Sequence, residues 1–134
     1  MRVAGGAVSW SSRLQPMVTL STTEAEYIAA VEAGKEILWT RSILSEFGWP
    51  VSKSSFLKMD NQSSVQVAKN PEHQGRMKHL DLKYFWLREV VEQGIITPVH
   101  IPTAENPADI LTKPLDPVKL STFCPMLGLR DMPR

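Results

Sequence analysis

The chain has 134 residues, of which 43% are hydrophobic and 22% charged, with a formal net charge of +1. That size suits one ordinary globular domain with a core of its own, and the near-neutral charge excludes nucleic-acid recognition by bulk basicity, so any such footprint has to be local. A single cysteine, Cys124, excludes an internal disulfide and a multi-cysteine zinc site, and we expect neither a membrane span nor a signal peptide, because no run approaches ~18 apolar residues and the first ten residues lack an apolar core.

In chain order, Gly5 and Gly6 read as turn punctuation. A short strand is expected over residues 7–10, with no partner before it, and residues 17–20 extend or rejoin it after Pro16. Residues 21–47 carry the clearest helix. Ser21 and Glu24 have capping-box spacing. Ile28, Val31, Leu38 and Ile43 recur at helical intervals, and Gly48 followed by Pro50 is a stop. Ala29, Ala30, Ala33 and Gly34 let this helix approach a sheet closely. Residues 55–60 read as a strand with Asp60 at its carboxyl end. Asn61 or Ser63 caps a short helix through Lys69, which Asn70 and Pro71 end.

After a polar loop at 72–78, residues 79–93 form a second long helix closed by Gly94, with Leu80, Tyr84, Leu87 and Val91 on one face. Residues 95–101 read as a strand, and Pro98, which lacks an N–H for the ladder, puts it at a sheet edge. Asn106 and Pro107 read as a cap and a first helical position. Asp109 then falls in the first turn of a short helix that Pro114 terminates. Asp116 and Pro117 start a further helical piece, and residues 124–134 carry few packing signals and are expected to be mobile. Trp10, Trp39, Trp49 and Trp86 lack the spacing of a stacking platform and are expected in the core. The alternation predicts an α/β domain, with helices covering a mixed sheet.

Three acids occupy special places: Glu26 in the first turn of the long helix, Asp60 just after a strand, and Asp109 at the start of a helix that follows an edge strand. Sites in open α/β sheets collect at the carboxyl ends of strands. Carboxylates gathered there repel unless a hard cation lies between them, and Mg²⁺ needs few protein oxygens when substrate phosphate supplies others. Two such ions ~3.5–4 Å apart activate a water and stabilise the leaving oxygen of a phosphodiester. Each acid also has a plain structural account. Glu24, Glu26 and Asp109 complement helix dipoles, and Asp60 before Asn61 is ordinary turn chemistry. His73 and His79 do not have metal-ligand spacing, which argues against zinc.

Four blocks carry a family resemblance. Residues 19–30, with Ser21-Thr22-Thr23-Glu24-Ala25-Glu26-Tyr27, resemble the LSSTEAEY signature of the RNase H domain of copia-type retrotransposon Pol polyproteins. Asp60-Asn61-Gln62-Ser63 resembles that family's DNQSA segment. Lys78-His79-Leu80-Asp81, then Tyr84 and Arg88-Glu89, resembles its KHIDIRYHFIRE helix. Ile101-Pro102-Thr103, then Ala108-Asp109-Ile110-Leu111-Thr112-Lys113-Pro114-Leu115, resembles its ADILTKPL ending. The blocks come in family order over about residues 5–120.

The resemblance implies an RNase H-like mixed sheet flanked by helices, and hydrolysis of the RNA strand of an RNA–DNA hybrid with Mg²⁺ or Mn²⁺, leaving 3′-hydroxyl and 5′-phosphate ends. It assigns the metal-binding, catalytic carboxylates to Glu26, Asp60 and Asp109, and makes Glu24 a capping residue. Asn61, Gln62 and Ser63 become candidates for sugar 2′-hydroxyls, with helix capping as the alternative. Lys78 and His79, with Lys83 and Arg88 nearby, become candidates for phosphate contact, with a solvated helix face as the alternative. Asp81 also matches a family position. Implied partners are the hybrid and the reverse-transcriptase domain of the same polyprotein, in the cytoplasmic virus-like particle of a retroelement or in the nucleus, with no membrane and no disulfide.

The family's first catalytic aspartate, in a DADWAGD-like segment on the first strand, has no counterpart in these residues. His100 lies within a strand and does not match the loop histidine of other RNase H branches. The expectation is therefore a partial RNase H-like domain over residues 1–115, lacking the first strand and most of the second, with a short helix and tail over 116–134. Impaired activity follows, and a non-catalytic remnant or scaffold is the competing function. A related nucleotidyl-transfer enzyme such as an integrase fits the block order less well.

Overall fold

The computed structural model describes residues 1–15, 18, 19, 21–70 and 81–129, with residues 81–84 described through their backbone alone. In chain order the elements are β1 (Arg2–Val3), β2 (Gly6–Ala7), α1 (Thr22–Glu46), β3 (Ser55–Met59), α2 (Gln62–Lys69), α3 (Asp81–Glu92), β4 (Ile96–His100) and α4 (Pro117–Met126), with 3-10 turns at Thr103–Glu105 and Pro107–Leu111. Helices and small sheets alternate, as expected of an α/β chain. Two compact units result: Gln15–Thr103, and Met1–Leu14 together with Ala104–Arg134.

In the larger unit, α1 starts where Ser21 leaves extended backbone and its side chain accepts a 3.1 Å bond from the Glu24 N–H. That bond satisfies one of the orphan donors of a helix start. The helix ends at a Schellman motif. Gly48, at φ +80°, donates to Ser45 O, and Trp49 N donates to Leu44 O. A side chain at Gly48 would be strained in this conformation. Between these ends α1 buries Tyr27, Ile28, Ala30, Val31, Gly34 and Ile37. Leu38 and Ile43, expected on the core face, are only half-buried. The buried face instead includes the small Ala30 and Gly34, and at Gly34 α1 packs close to α3. A Cβ on Gly34 would stand 3.1 Å from Leu87 Cδ1 and 3.2 Å from a Trp86 ring carbon.

Strands β3 and β4 pair in parallel, from Ser55 opposite Ile96 to Met59 opposite His100. Burial alternates along β3, with Leu57 and Met59 buried and Phe56 and Lys58 exposed, as the two-residue period of a strand requires. Ile96 and Pro98 of β4 are buried too. Pro98 lies opposite Leu57, and β4 has one ladder partner among the described residues, consistent with the edge position its missing N–H demands. The core joins this sheet to Tyr27 and Val31 of α1, Val65 and Ala68 of α2, and Leu87 and Val90 of α3. Val91, expected on the core face of α3, is half-buried. Leu80 of that expected face lies outside the described residues, as does the side chain of Tyr84.

The smaller unit corrects the expectation for the first residues. β1 and β2 form a hairpin, Arg2 opposite Ala7 and Val3 opposite Gly6. Its two turn residues, Ala4 and Gly5, both have positive φ, the requirement of a primed two-residue turn. The expected strand over residues 7–10 therefore shrinks to Ala7. Its partner, thought absent, is supplied by Arg2–Val3. The tail is corrected as well over its described residues, 124–129. Cys124 and Met126 belong to α4, Phe123 is buried, and Leu127 O accepts a 2.9 Å bond from Ala7 N. Gly128 packs against the hairpin turn so closely that a Cβ there would meet Gly5 O at 2.6 Å.

The tryptophans differ from expectation in the same way. Trp10, Trp39 and Trp49 are exposed and Trp86 is half-buried.

Candidate functional site

Glu26 is the fifth residue of α1, so it stands in the second turn; the first-turn acid is Glu24. This corrects the expected placement and separates the two carboxylates by role. Glu24 sits where its backbone N–H meets the Ser21 cap, whereas Glu26 stands two residues farther along the helix. Glu26 is half-buried and next to the fully buried Tyr27, which fixes the helix face from which it projects.

Asp60 follows β3 directly and is half-buried. Ile101 N donates to Met59 O at 2.9 Å, so the ladder with β4 is maintained up to the residue before Asp60. Asn61 caps α2: its side chain accepts from Ser64 N at 3.1 Å, and its carbonyl accepts from Val65 N. Of the two caps allowed by the sequence, the structure uses Asn61. Gln62 and Ser63 occupy the first turn of α2 with exposed side chains.

Ser64 gave no functional signal as a residue, being one more small polar group in a helix. It is wholly buried, and its hydroxyl donates to Thr23 O at 2.8 Å. Thr23 lies one turn before Glu26 on the same face of α1, since residues three apart are neighbours on a helix. Ser64 lies four residues after Asp60. The bond therefore ties the α1 turn preceding Glu26 to the α2 turn following Asp60, and brings these two segments to one corner of the larger unit.

Asp109 belongs to the smaller unit. Asn106 caps the 3-10 turn by accepting from Ala108 N at 3.1 Å, with Pro107 at its first position, as the Asn-Pro pair predicts. The Asp109 carbonyl then gathers three donors: Thr112 N, Lys113 N and the Thr112 hydroxyl. This closes the chain back on itself, and Lys113 Nζ reaches Asp109 Oδ2 at 2.7 Å. Lys113 was not singled out from the sequence. Its place four residues after an acid was the available signal.

Lys78 and His79 lie outside the described residues. So do the side chains of Asp81 and Lys83. Arg88 of α3 is mostly buried, 3.8 Å from Glu92 and over the Phe85 ring at 5.9 Å; its Nη1 has no hydrogen-bond partner among the described residues. His100 is exposed at the end of β4.

Each of the expected ligands, Glu26, Asp60 and Asp109, is a carboxylate, an oxygen donor of the kind a hard divalent cation takes. Among the described residues no group of three or more His, Cys, Asp or Glu side chains stands ready to hold a metal. These two facts are compatible for Mg²⁺, which is commonly held by one or two carboxylates together with substrate phosphate, not by an all-protein cage. Among the described residues no helix is long and apolar enough to cross a membrane.

No family model and no solved structure matches the chain. Curated relatives do. It is 44% identical over 96% of its length to the retrovirus-related Pol polyprotein from transposon TNT 1-94 of Nicotiana tabacum. It is 36% and 34% identical, each over 94% of its length, to the retrovirus-related Pol polyproteins from transposons RE2 and RE1 of Arabidopsis thaliana. The chain spans about a tenth of the length of these relatives, covering 10%, 9% and 9% of them. Its homologues are thus Pol polyproteins of plant transposons, which supports a retrotransposon origin.

Proposed function

We propose that the chain is the RNase H-type part of a retrotransposon Pol polyprotein and contributes to hydrolysis of the RNA strand of RNA–DNA hybrids. In this reading the parallel β3–β4 pair, with helices on one face, is part of an RNase H-like mixed sheet. The observation that carries the proposal is the Ser64–Thr23 bond, which draws the Asp60 strand end and the α1 turn preceding Glu26 to one corner. The partners are the hybrid and the reverse-transcriptase part of the same polyprotein, within a cytoplasmic or nuclear retroelement particle.

Glu26, Asp60 and Asp109 would hold Mg²⁺ or Mn²⁺. When bound, such ions lower the pKa of water and offset charge on the leaving oxygen. The chain's own residues provide the positioning. α1 presents Glu26 from a helix anchored by the buried Tyr27, and the β3–β4 ladder and the Asn61 cap place Asp60 between two hydrogen-bonded segments. Asn61, Gln62 and Ser63 at the start of α2 are proposed to meet ribose hydroxyls, a contact that distinguishes RNA from DNA. Lys78 and His79 are proposed to meet backbone phosphates.

The test is cleavage of an RNA–DNA hybrid by the chain and by a longer polyprotein segment that contains it, with Mg²⁺ or Mn²⁺. The expected result is 5′-phosphate products from the longer segment, reduced on the order of 100-fold or more by Glu26→Gln, Asp60→Asn or Asp109→Asn. Undiminished cleavage by Asp60→Asn would overturn the assignment. A non-catalytic scaffold is the second reading. It predicts hybrid binding, or binding of the reverse-transcriptase part, without cleavage by either protein.

A further inference from the structure

We propose that Lys113 is the resident counter-ion of Asp109, holding its carboxylate while no divalent cation is bound and yielding Oδ2 when one arrives. This rests on the assignment of Asp109 as a metal ligand and gives that site a further positioning residue. The ion pair is 2.7 Å long. Its acid is more buried than the acids of the Lys35–Glu32 and Arg88–Glu92 pairs. Glu32 and Glu92 keep 40% and 65% of their side-chain exposure, whereas Asp109 keeps 14% and Lys113 keeps 48%. A carboxylate so far removed from water is costly unless a cation stays beside it. Lys113, half in solvent, can leave at little cost.

The local backbone creates this arrangement. The three donors on the Asp109 carbonyl fold residues 109–113 into a closed turn, with Lys113 N at 3.2 Å and Thr112 N at 3.1 Å. Pro114 follows; it restricts the residue before it and cannot continue a helix. The residue type also suits exchange. A lysine ammonium is a compact point charge on a flexible stem, unlike the planar fork with which arginine grips a carboxylate at two points. Once displaced, the ammonium carries the positive charge a phosphodiester substrate attracts, so one side chain balances the site in both states.

The test is a Mn²⁺ titration of the full 134-residue chain, followed by the electron paramagnetic resonance of free Mn²⁺ and by thermal melting, for wild type, Lys113→Gln, Lys113→Arg and Asp109→Asn. Lys113→Gln should lower the half-saturating Mn²⁺ concentration about threefold to tenfold, because the competing charge is gone. Lys113→Arg should raise it, and Asp109→Asn should weaken binding whichever residue occupies position 113. Melting without Mn²⁺ separates a purely structural pair, which would change stability but leave the Mn²⁺ midpoint alone. An unchanged midpoint in Lys113→Gln, with Asp109→Asn still weakening binding, overturns the role of Lys113 and leaves the metal assignment standing. Equal Mn²⁺ binding by wild type and Asp109→Asn overturns both.

Discussion

The Ser64 hydroxyl donates a 2.8 Å hydrogen bond to the carbonyl oxygen of Thr23, across 41 residues of sequence. It links the segments that carry the candidate carboxylates of the larger unit, since one lies a turn beyond Thr23 and the other just before the α2 cap. Ser64→Ala removes the donor while keeping the helix, so the chain should lose about 1 kcal/mol of stability. Denaturant unfolding measures this. A midpoint equal to wild type would mean that the bond does not hold the two helices together.

Gly34 offers a test of the α1–α3 contact. A Cβ there would press on Leu87, which is fully buried, and on the Trp86 ring at 3.2 Å. Gly34→Val adds a branched side chain to a space without room for it and should cost roughly 1–3 kcal/mol. The thermal midpoint is the readout. An unchanged value would place the two helices farther apart than described.

Arg41 binds the segment between α1 and β3. Its guanidinium donates to Lys53 O at 2.8 Å, Ser55 Oγ at 3.0 Å and Val51 O at 2.7 Å. Arg41→Ala should destabilise the chain by about 2 kcal/mol, and Arg41→Lys should recover only part of that, because an ammonium does not reproduce the fork. Amide hydrogen exchange over residues 51–55 should accelerate in both variants. Protection equal to wild type in Arg41→Ala would refute the clamp.

Glu24 and Glu26 separate capping from chemistry. Glu24→Gln keeps a residue able to serve in a capping box and should leave both stability and hybrid cleavage near wild type. Glu26→Gln, in the longer polyprotein segment, should leave melting nearly unchanged and reduce cleavage on the order of 100-fold. If the two substitutions exchanged effects, the assignment of the second acid in the block would be wrong.

Most of the element order was legible in the sequence, because it rests on local chemistry. The Ser21 and Asn61 caps, the Gly48 and Gly94 stops, and Asn106 with Pro107 each act within a few residues, and each appears where its residue type predicts. The hairpin at Arg2–Val3 and Gly6–Ala7 was missed because two-residue strands carry no periodic signal. The tryptophans were misplaced because hydrophobicity states what a side chain prefers, and whether a core has room for it is settled by the neighbours that fill it first.

The candidate site divides along the same line. By itself the sequence determined the carboxylates worth considering and their resemblance to Pol polyproteins, since both reside in residue type and order. Tertiary structure alone decided that Glu26 lies past the capping turn and that the buried Ser64 joins its helix to the strand end of Asp60. It also decided that Lys113 folds back onto Asp109. The physical reason is that a buried hydroxyl and a closed turn derive their meaning from the partner that satisfies them, and the partner of Ser64 lies 41 residues away.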